Sequence, residues 1–253
     1  MPLAGTLDVA TALASAPHVL SLAGPTWEMP EASFVQVNWE VEHEPALTLT
    51  PPSLHPSIPP YVAVFAGRYP ESPVGPFTLA QMRLVVRAGI RPRGLCLGAV
   101  CDNAEATEIL RSSWGYPVQF GDVSFTARHD RVLCTAALGG HDVLEVGVGD
   151  PDVIGGSDLM AFDNVHVIRL GDSAEGAVVQ VNPEYVIHNA DRGRAILRLP
   201  NLDALGMGGR IVLTHAMTGF TFRADSNLTP VRFVMDPVVP AVQSTRKIDA
   251  VGA

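Results

Sequence analysis

The segment Cys96–Pro117 reads CLGAVCDNAEATEILRSSWGYP, and it contains the clearest local signals for the fold. An apolar run, Arg93–Val100, leads into this segment and has the length of a buried strand. The next stretch, Asn103–Ser113, has an Asp or Asn in position to cap it and carboxylates in its first turns, while Gly115 and Pro117 follow its end. These start and stop signals predict a strand followed directly by a short α-helix.

Strand-like segments account for most of the remaining chain. Several are continuous apolar runs separated by Gly and Pro, and one alternates apolar with polar residues, as a half-buried strand does. The predicted strands are Ser33–Val41, Tyr61–Ala66, Phe77–Ala88, Arg93–Val100, Gly121–Arg128, Arg131–Leu138, Asp142–Gly147, Asp158–Leu170, Ala177–Asn189, Arg194–Leu199, Ile211–Phe222 and Val231–Val234. We also expect a short helix at Leu7–Ala14 and a proline-rich stretch at Leu47–Pro60 that is extended or rich in turns.

This pattern of many strands and one main helix predicts a mainly β (α+β) protein, either a barrel or a sandwich. No internal repeat or low-complexity linker divides the 253 residues. We therefore expect one domain, 1–253, in which 1–30 form an N-terminal extension and 240–253 form a polar C-terminal tail.

The composition argues against several classes of partner. The chain is 47% hydrophobic and 17% charged, which suits a globular protein, and its net charge is -9. Such an acidic chain lacks the excess of positive charge that attracts nucleic acid or an anionic membrane. The N-terminus lacks the basic start of a signal peptide, and no run reaches the roughly 18 apolar residues of a membrane span. We expect a cytoplasmic protein that binds neither nucleic acid nor membranes.

Common motifs for metals, cofactors and nucleophilic catalysis are missing or incomplete. The three cysteines, Cys96, Cys101 and Cys134, fit no standard zinc or redox spacing and are interpreted as small buried thiols. The sequence GVGDPDVIGG at 147–156 lacks the third glycine of a dinucleotide fingerprint, and no G-x-S-x-G nucleophile elbow occurs. The eight histidines are dispersed, although distant strands could still gather some around a metal. We predict no metal and no cofactor.

The basic residues include a single lysine, Lys247, which lies in the predicted polar tail. An enzyme that forms a Schiff base with a carbonyl substrate requires a lysine amine. An exposed amine in such a tail keeps a high pKa and is a poor nucleophile at neutral pH. The composition therefore disfavours Schiff-base catalysis.

Several segments, taken in order, resemble the acetoacetate decarboxylase superfamily. They are PPSLHPSIPPYVAVFAGRYPES, CLGAVCDNAEATEILRSSWGYP, FDNVHVIRL, and HAMTGFTF with the later LTPVRF. The resemblance spans the region from Pro51 to Pro237. It implies an antiparallel β-barrel with flanking strands and few helices around an internal pocket, a small-molecule substrate, and assembly into a homo-oligomer.

The resemblance also locates the missing amines. In decarboxylases of this family an aromatic-Pro turn is followed by two lysines, of which the first forms the Schiff base and the second lowers its pKa. Here Gly115-Tyr116-Pro117 is followed by Val118 and Gln119. Valine has no nucleophile, and the glutamine amide can only donate or accept hydrogen bonds. The resemblance therefore implies a family member that lacks the Schiff-base lysine pair.

Other candidate site residues follow from the resemblance and from side-chain chemistry. Glu71 matches a loop carboxylate that faces the family's pocket and is the predicted acid or base, with Gln119 as the second catalytic candidate. A salt bridge from Glu71 to Arg68 or Arg83 is the alternative, and Tyr116 could serve only to pack beneath its turn. The substrate-binding candidates are Tyr116, Val118, Arg83, Ser112 and His215.

These residues predict a non-covalent enzyme of lyase, isomerase or cyclase type. It would act on a small, largely apolar oxygenated or keto substrate, as in natural-product (secondary) metabolism. Loss of the lysines favours a larger and less charged substrate than acetoacetate. Two alternatives stay open, a small-molecule binding protein without turnover and a decarboxylase with a different mechanism.

Overall fold

The structure is a computed structural model that describes residues 3–207 and 210–248. Residues 1–2 of the predicted N-terminal extension and 249–253 of the predicted tail lie outside these ranges. The strands are β1 (His18–Val19), β2 (Trp27–Val41), β3 (His55–Pro56), β4 (Tyr61–Tyr69), β5 (Phe77–Ala88), β6 (Arg91–Cys101), β7 (Val118–Phe120), β8 (Asp122–Ala127), β9 (Arg131–Leu138), β10 (His141–Ile154), β11 (Asn164–Leu170), β12 (Glu175–Val181), β13 (Pro183–Arg198), β14 (Leu213–Leu228), β15 (Phe233–Met235) and β16 (Arg246–Lys247).

Helices are short and few. The α-helices are α1 (Val9–Ser15), α2 (His43–Leu49), α3 (Ala104–Trp114) and α4 (Ala241–Ser244), and single 3₁₀ turns occur at Gly156–Asp158 and Asp203–Leu205. Among the described residues, no helix has both the length and the apolar character that crossing a membrane requires.

The strands form one large, mostly antiparallel sheet. Its main order is β16-β15-β12-β11-β6-β5-β4-β2-β14-β13-β10-β9-β8, and β1, β3 and β7 pair with β11, β5 and β6. The two ends of this order, β8 and β16, do not pair with each other in the described part of the chain. Instead, β8 and β9 contact β5 and β6 without ladder hydrogen bonds, because the sheet folds over on itself. The mainly β class is confirmed, whereas closure into a barrel is not.

Both faces of the central strands are buried. In β2, Phe34 packs into one hydrophobic cluster and Val35 into the other. Nearly every residue of β4 and β5 is likewise buried. A strand covered on both faces carries apolar residues at successive positions rather than at every second one. This explains why Tyr61–Ala66 is a continuous apolar run.

The local signals around the main helix predict it well. It is confirmed as α3, and the Asn103 side-chain oxygen accepts a hydrogen bond from the Ala106 N–H at 3.0 Å. The extended or turn-rich conformation predicted for Leu47–Pro60 is wrong at its start, because α2 continues to Leu49. Pro45 lies in the first turn of α2, where a missing N–H removes no intrahelical hydrogen bond.

Helix α3 ends inside the protein, so its last carbonyl groups need partners there. The N–H groups of Gly115 and Tyr116 donate to the carbonyls of Arg111 and Leu110, both at 3.1 Å. Gly115 has a φ of 69°, a left-handed conformation that is costly for residues with a Cβ. The glycine therefore lets the chain turn sharply from α3 into β7.

A histidine from β11 completes this helix end. His166 Nδ1 donates a hydrogen bond to the Trp114 carbonyl at 2.7 Å. The Trp114 indole N–H in turn donates to the Thr229 carbonyl at 2.8 Å, and its ring packs edge-on against Trp27. Burial lowers the pKa of His166 to about 4, so the imidazole is neutral at pH 7. The neutral ring thus links β11 to the end of α3 through one hydrogen bond, which its protonated Nδ1 donates.

We expect Gly115→Ala to destabilise the protein more than the control Gly139→Ala. Both glycines have positive φ, so each alanine should cost about 1 kcal/mol for its backbone conformation. The Cβ at position 115 would lie 2.2 Å from Cγ2 of Ile168, whereas the site at 139 is open. Overpacking should add about 1–3 kcal/mol at position 115 only. Urea unfolding measures both values, and equal losses would contradict the packing argument.

We expect His166 to make the free energy of unfolding fall as pH decreases from about 6.5 to about 4. In this window the unfolded chain binds a proton at His166 that the folded protein excludes, which costs up to about 1.4 kcal/mol per pH unit. His166→Asn keeps a donor for Trp114 but does not titrate, so this part of the pH dependence should disappear. The control His141→Asn, at an exposed position, should keep it. Identical pH profiles for wild type and His166→Asn would contradict the prediction.

Candidate functional site

A cavity lies inside the fold between α3 and strands β2, β4, β5, β11, β13 and β14. It comprises about 350 Å³ of space outside protein atoms, but this figure includes open solvent, and the space between the side chains is about that of one or two water molecules. The lining is otherwise apolar, but it has six hydroxyl- or amide-bearing side chains, Tyr69, Gln81, Tyr116, Asn164, Tyr185 and Ser226. In the described part of the chain, no lysine or carboxylate contributes to this lining. The lining can therefore donate hydrogen bonds to a small, mostly apolar molecule, which would have to displace side chains to enter.

Asn164 holds the hydroxyl of Tyr116 in the cavity wall. The Asn164 Nδ2 donates to the Tyr116 Oη at 2.9 Å, and its Oδ1 accepts from the Arg83 Nη1 at 3.2 Å. An arginine can only donate, so the amide oxygen must face Arg83 and the NH₂ group must face Tyr116. The Tyr116 hydroxyl accepts this bond and keeps its own proton for donation to a ligand.

The cavity tyrosines are held in their protonated form. Burial raises the pKa of Tyr116 well above its usual value and raises the pKa of Tyr185 to about 12. Burial also raises the pKa of Tyr69, which lines the same space. Because a desolvated phenolate is disfavoured, these hydroxyls are hydrogen-bond donors at neutral pH.

Arg83 lies directly behind Asn164 and is only 1% exposed. Its Nη2 donates to the Gln36 Oε1 at 2.7 Å, and its Nε donates to the Ala63 carbonyl at 3.4 Å. The Cζ atom lies 4.6 Å from the centre of the Phe65 ring, which gives a cation–π contact. Burial lowers its pKa, yet the guanidinium of an arginine stays charged in proteins. Among the described residues, every hydrogen-bond partner of this cation is a neutral group.

Of the predicted site residues, Tyr116 lines the cavity, whereas Arg83 and Val118 are buried outside the lining. Tyr116 is part of the lining, and Arg83 contacts the lining through Asn164. Val118 begins β7, pairs in parallel with Ala99 of β6, and is fully buried in the same hydrophobic cluster as Tyr116. Its methyl groups therefore fill space in the hydrophobic core.

The predicted catalytic residues lie at the surface. Glu71 is exposed in the loop between β4 and β5. This loop joins Tyr69 to Phe77, and both of these side chains line the cavity. Gln119 is exposed and its Nε2 donates to the Ala204 carbonyl at 3.2 Å. The catalytic roles of Glu71 and Gln119 stay predictions.

The other two substrate-binding candidates are also exposed. The Ser112 hydroxyl donates to the Glu108 carbonyl of the preceding turn of α3, at 2.8 Å. His215 lies in β14 with its Nδ1 3.8 Å from a carboxylate oxygen of Glu40. Neither side chain belongs to the cavity lining in this structure, and their binding roles stay predictions.

Sequence reasoning missed Asn164 and Tyr185. Asn164 and His166 are polar residues two positions apart within the apolar strand FDNVHVIRL, and that spacing indicates a common face of β11. Asn164 was therefore detectable as an inward-facing polar residue. Tyr185 gave no comparable signal, because β13 alternates exposed and half-buried residues along its first half.

The single lysine does not contribute to the cavity lining. Lys247 lies in β16, where it is exposed and pairs with Phe233 of β15. The three cysteines are buried free thiols, as predicted, and burial raises the pKa of each, to about 11 for Cys101 and about 12 for Cys96 and Cys134. These thiols are therefore not nucleophiles at neutral pH.

One group of side chains has metal-ligating atoms close together. Atoms of Glu31, His188 and Asp225 lie within 4.8 Å of one another near the surface. Glu31 is already paired with Arg223, and Asp225 accepts hydrogen bonds from the Glu31 N–H and from His188. These ligands are satisfied without an ion, so the group does not identify a metal centre.

Comparisons with known proteins agree with this architecture. The acetoacetate decarboxylase from Legionella pneumophila subsp. pneumophila str. Philadelphia 1 is 14% identical, with a TM-score of 0.71 over 82% of this chain and 86% of that one. The enduracididine biosynthesis enzyme MppR, in complex with pyruvate, is 18% identical, with a TM-score of 0.66 over 83% and 90%. An acetoacetate decarboxylase-like enzyme from Sphingomonas wittichii RW1 is 14% identical, with a TM-score of 0.65 over 90% and 98%.

At these identities the structural likeness supports the fold alone. No curated protein matches the sequence significantly. The sequence profile of the family described as acetoacetate decarboxylase (ADC), however, matches residues 13–169, which is more than half of the chain. The chain belongs to the acetoacetate decarboxylase family.

Proposed function

We propose that this protein is a non-covalent enzyme that acts on a small, largely apolar oxygenated or keto substrate. The reaction would be a lyase, isomerase or cyclase reaction that proceeds without an imine. The observation that carries this proposal is a cavity lined by hydroxyl and amide donors, together with the exposed position of the single lysine in β16. Such a cavity can polarise a carbonyl group but offers no amine to attack it.

Tyr116 would perform the central step. A substrate carbonyl in the cavity would accept a hydrogen bond from the Tyr116 hydroxyl, whose oxygen is fixed by Asn164. As an α-proton or a leaving group departs, negative charge develops on the carbonyl oxygen, and a preorganised donor stabilises that charge. The low polarity of the surrounding core strengthens the interaction.

The proton transfer needs a separate group, for which Glu71 stays our candidate. Its loop joins two cavity residues, Tyr69 and Phe77, and the loop would have to change conformation to direct the exposed carboxylate into the cavity. Acid–base catalysis would require this carboxylate to lie within hydrogen-bonding distance of the proton that it moves. Gln119 would assist as a hydrogen-bonding residue.

The names of solved relatives support the proposed class of substrate. MppR is described as an enduracididine biosynthesis enzyme, and it has been solved with pyruvate and with the condensation product of pyruvate and imidazole 4-carboxaldehyde. Small keto compounds in natural-product metabolism therefore belong to the substrates we propose for this chain. We also propose a homo-oligomer in the cytoplasm, which light scattering and cell fractionation would test.

Borohydride reduction tests the absence of an imine. We expect no mass increase when the protein is incubated with acetoacetate and sodium borohydride, because no amine contributes to the cavity lining in the described residues. Intact-mass spectrometry makes the measurement, and a decarboxylase that retains the lysine pair is the positive control. An adduct on Lys247 would overturn the non-covalent mechanism.

The variant Tyr116→Phe tests whether the Tyr116 hydroxyl donates a hydrogen bond to the substrate carbonyl. We expect wild type to accelerate exchange of the α-protons of butanone with heavy water, measured by NMR, and Tyr116→Phe to lower that rate by about 10²-fold or more. Tyr61→Phe, a buried tyrosine outside the cavity lining, is the control and should exchange at the wild-type rate.

The same exchange assay with Glu71→Gln tests whether Glu71 is the group that transfers the proton. Full activity in this variant would remove Glu71 from the mechanism. Tight binding of small ketones without exchange in the wild type would favour the alternative of a binding protein without turnover.

A further inference from the structure

A second cavity lies between β2, β8, β9, β10, β13 and β14, away from α3. It leaves about 280 Å³ between the side chains, which is near the lower end of the range for sites that bind small molecules. Its lining includes Val132, which belongs to the same hydrophobic cluster as Val35, whereas Tyr116 belongs to the other cluster. Within the described part of the chain, no residue lines both cavities. The second cavity is therefore a separate site.

Part of the second cavity has an apolar lining. Phe125 of β8 and Val132 of β9 contribute to it, and both pack with the larger hydrophobic cluster. Pro151, where the pairing of β10 with β13 changes register, also lines the space. An apolar group bound against these side chains would be removed from water, which favours binding.

Strands β2, β14 and β13 contribute polar side chains to the same cavity. Ser33 pairs with Arg223, and Arg223 pairs with Asn189. Thr221, two positions from Arg223 on β14, pairs with Asp191. Paired residues, and residues two positions apart on a strand, share one face of a sheet. These five lining residues therefore place two hydroxyls, an amide, a cation and a carboxylate on one surface.

Two charged groups of this lining have no ion-pair partner among the described residues. Arg223 is paired with Glu31, but neither Arg128, in the turn between β8 and β9, nor Asp191 of β13 forms an ion pair with each other or with another described residue. Asp191 is half-buried, whereas Arg128 is exposed. A cation and an anion thus line one cavity without reaching each other. A ligand that carries both charges would give each of them a partner.

We propose that the second cavity binds a free α-amino acid with an apolar side chain. The ammonium group of the ligand would pair with Asp191 and its carboxylate with Arg128, while its side chain would pack against Phe125 and Val132. His129 lies next to Arg128 in the lining, and its ring N–H would donate a further hydrogen bond to the carboxylate. The small volume limits the ligand to about one amino acid. This site does not depend on the enzyme proposed for the cavity beside α3.

The first test compares L-leucine with two analogues, isocaproate, which lacks the amine, and isopentylamine, which lacks the carboxylate. We expect leucine to bind the wild type about 10-fold or more tightly than isocaproate, because a charged hydrogen bond to the half-buried Asp191 is lost. The advantage over isopentylamine should be smaller, about 3-fold, because ion pairs of exposed groups such as Arg128 are weak. Titration followed by NMR measures all three dissociation constants. Absence of leucine binding, or binding no tighter than that of either analogue, would overturn the inference.

Variants assign each charge of the ligand to a side chain. Asp191→Asn should bring the leucine-to-isocaproate affinity ratio to about 1 and leave the ratio to isopentylamine unchanged. Arg128→Gln should have the opposite effect on the two ratios. The controls Asp152→Asn and Arg131→Gln change exposed neighbours outside the lining and should keep both wild-type ratios.

Circular dichroism checks that the variants fold, and the comparison of the three ligands needs no variant. Wild-type ratios in folded Asp191→Asn and Arg128→Gln would show that leucine binds elsewhere and would overturn the assignment of this cavity.

Discussion

The structure depends on how α3 ends inside the protein. A helix that stops in a buried environment leaves carbonyl groups that water cannot reach, and each must find a donor nearby. Here the donors come from the following turn and from His166 of β11. This requirement fixes the turn against the sheet and leaves Gly115 in close contact with Ile168. The position of Tyr116, one residue later, follows from the same constraint.

The turn also determines the electrostatics of the cavity. Once Tyr116 is placed against the His166 ring, with ring centres 4.1 Å apart, its hydroxyl reaches Asn164, and Asn164 reaches Arg83. A charged group and a cavity donor are thereby connected through one amide. Each bond in this series polarises the next, and the apolar surroundings increase the effect. The packing at the end of α3 therefore also determines which hydrogen-bond donor faces the cavity.

The sequence predicted the elements whose causes are local. The cap, the carboxylates and the stop signals of α3 act within a few residues, so Asn103 and Gly115 identified the helix. Sheet closure depends instead on pairing between β8 and distant strands, and no local pattern encodes it.

The residues of the candidate site show the same difference between local and long-range causes. Tyr116 was found because it belongs to a turn motif, whereas Tyr185 was not, since its exposure to the cavity depends on strand register. The motifs that contain Glu71 and Gln119 also did not predict that both side chains lie at the surface.

The burial of Val118 has a consequence for any side chain that replaces it. From the resemblance of the Gly-Tyr-Pro turn we expect Val118 to occupy the position of the family's imine-forming lysine, and its side chain is fully buried in the hydrophobic cluster that contains Tyr116. Desolvation is one of the conditions that lower the pKa of an amine and make it reactive. A lysine introduced in place of Val118 would therefore be desolvated, and its amine would meet one of the two conditions for reactivity at neutral pH without any other change to the surrounding core.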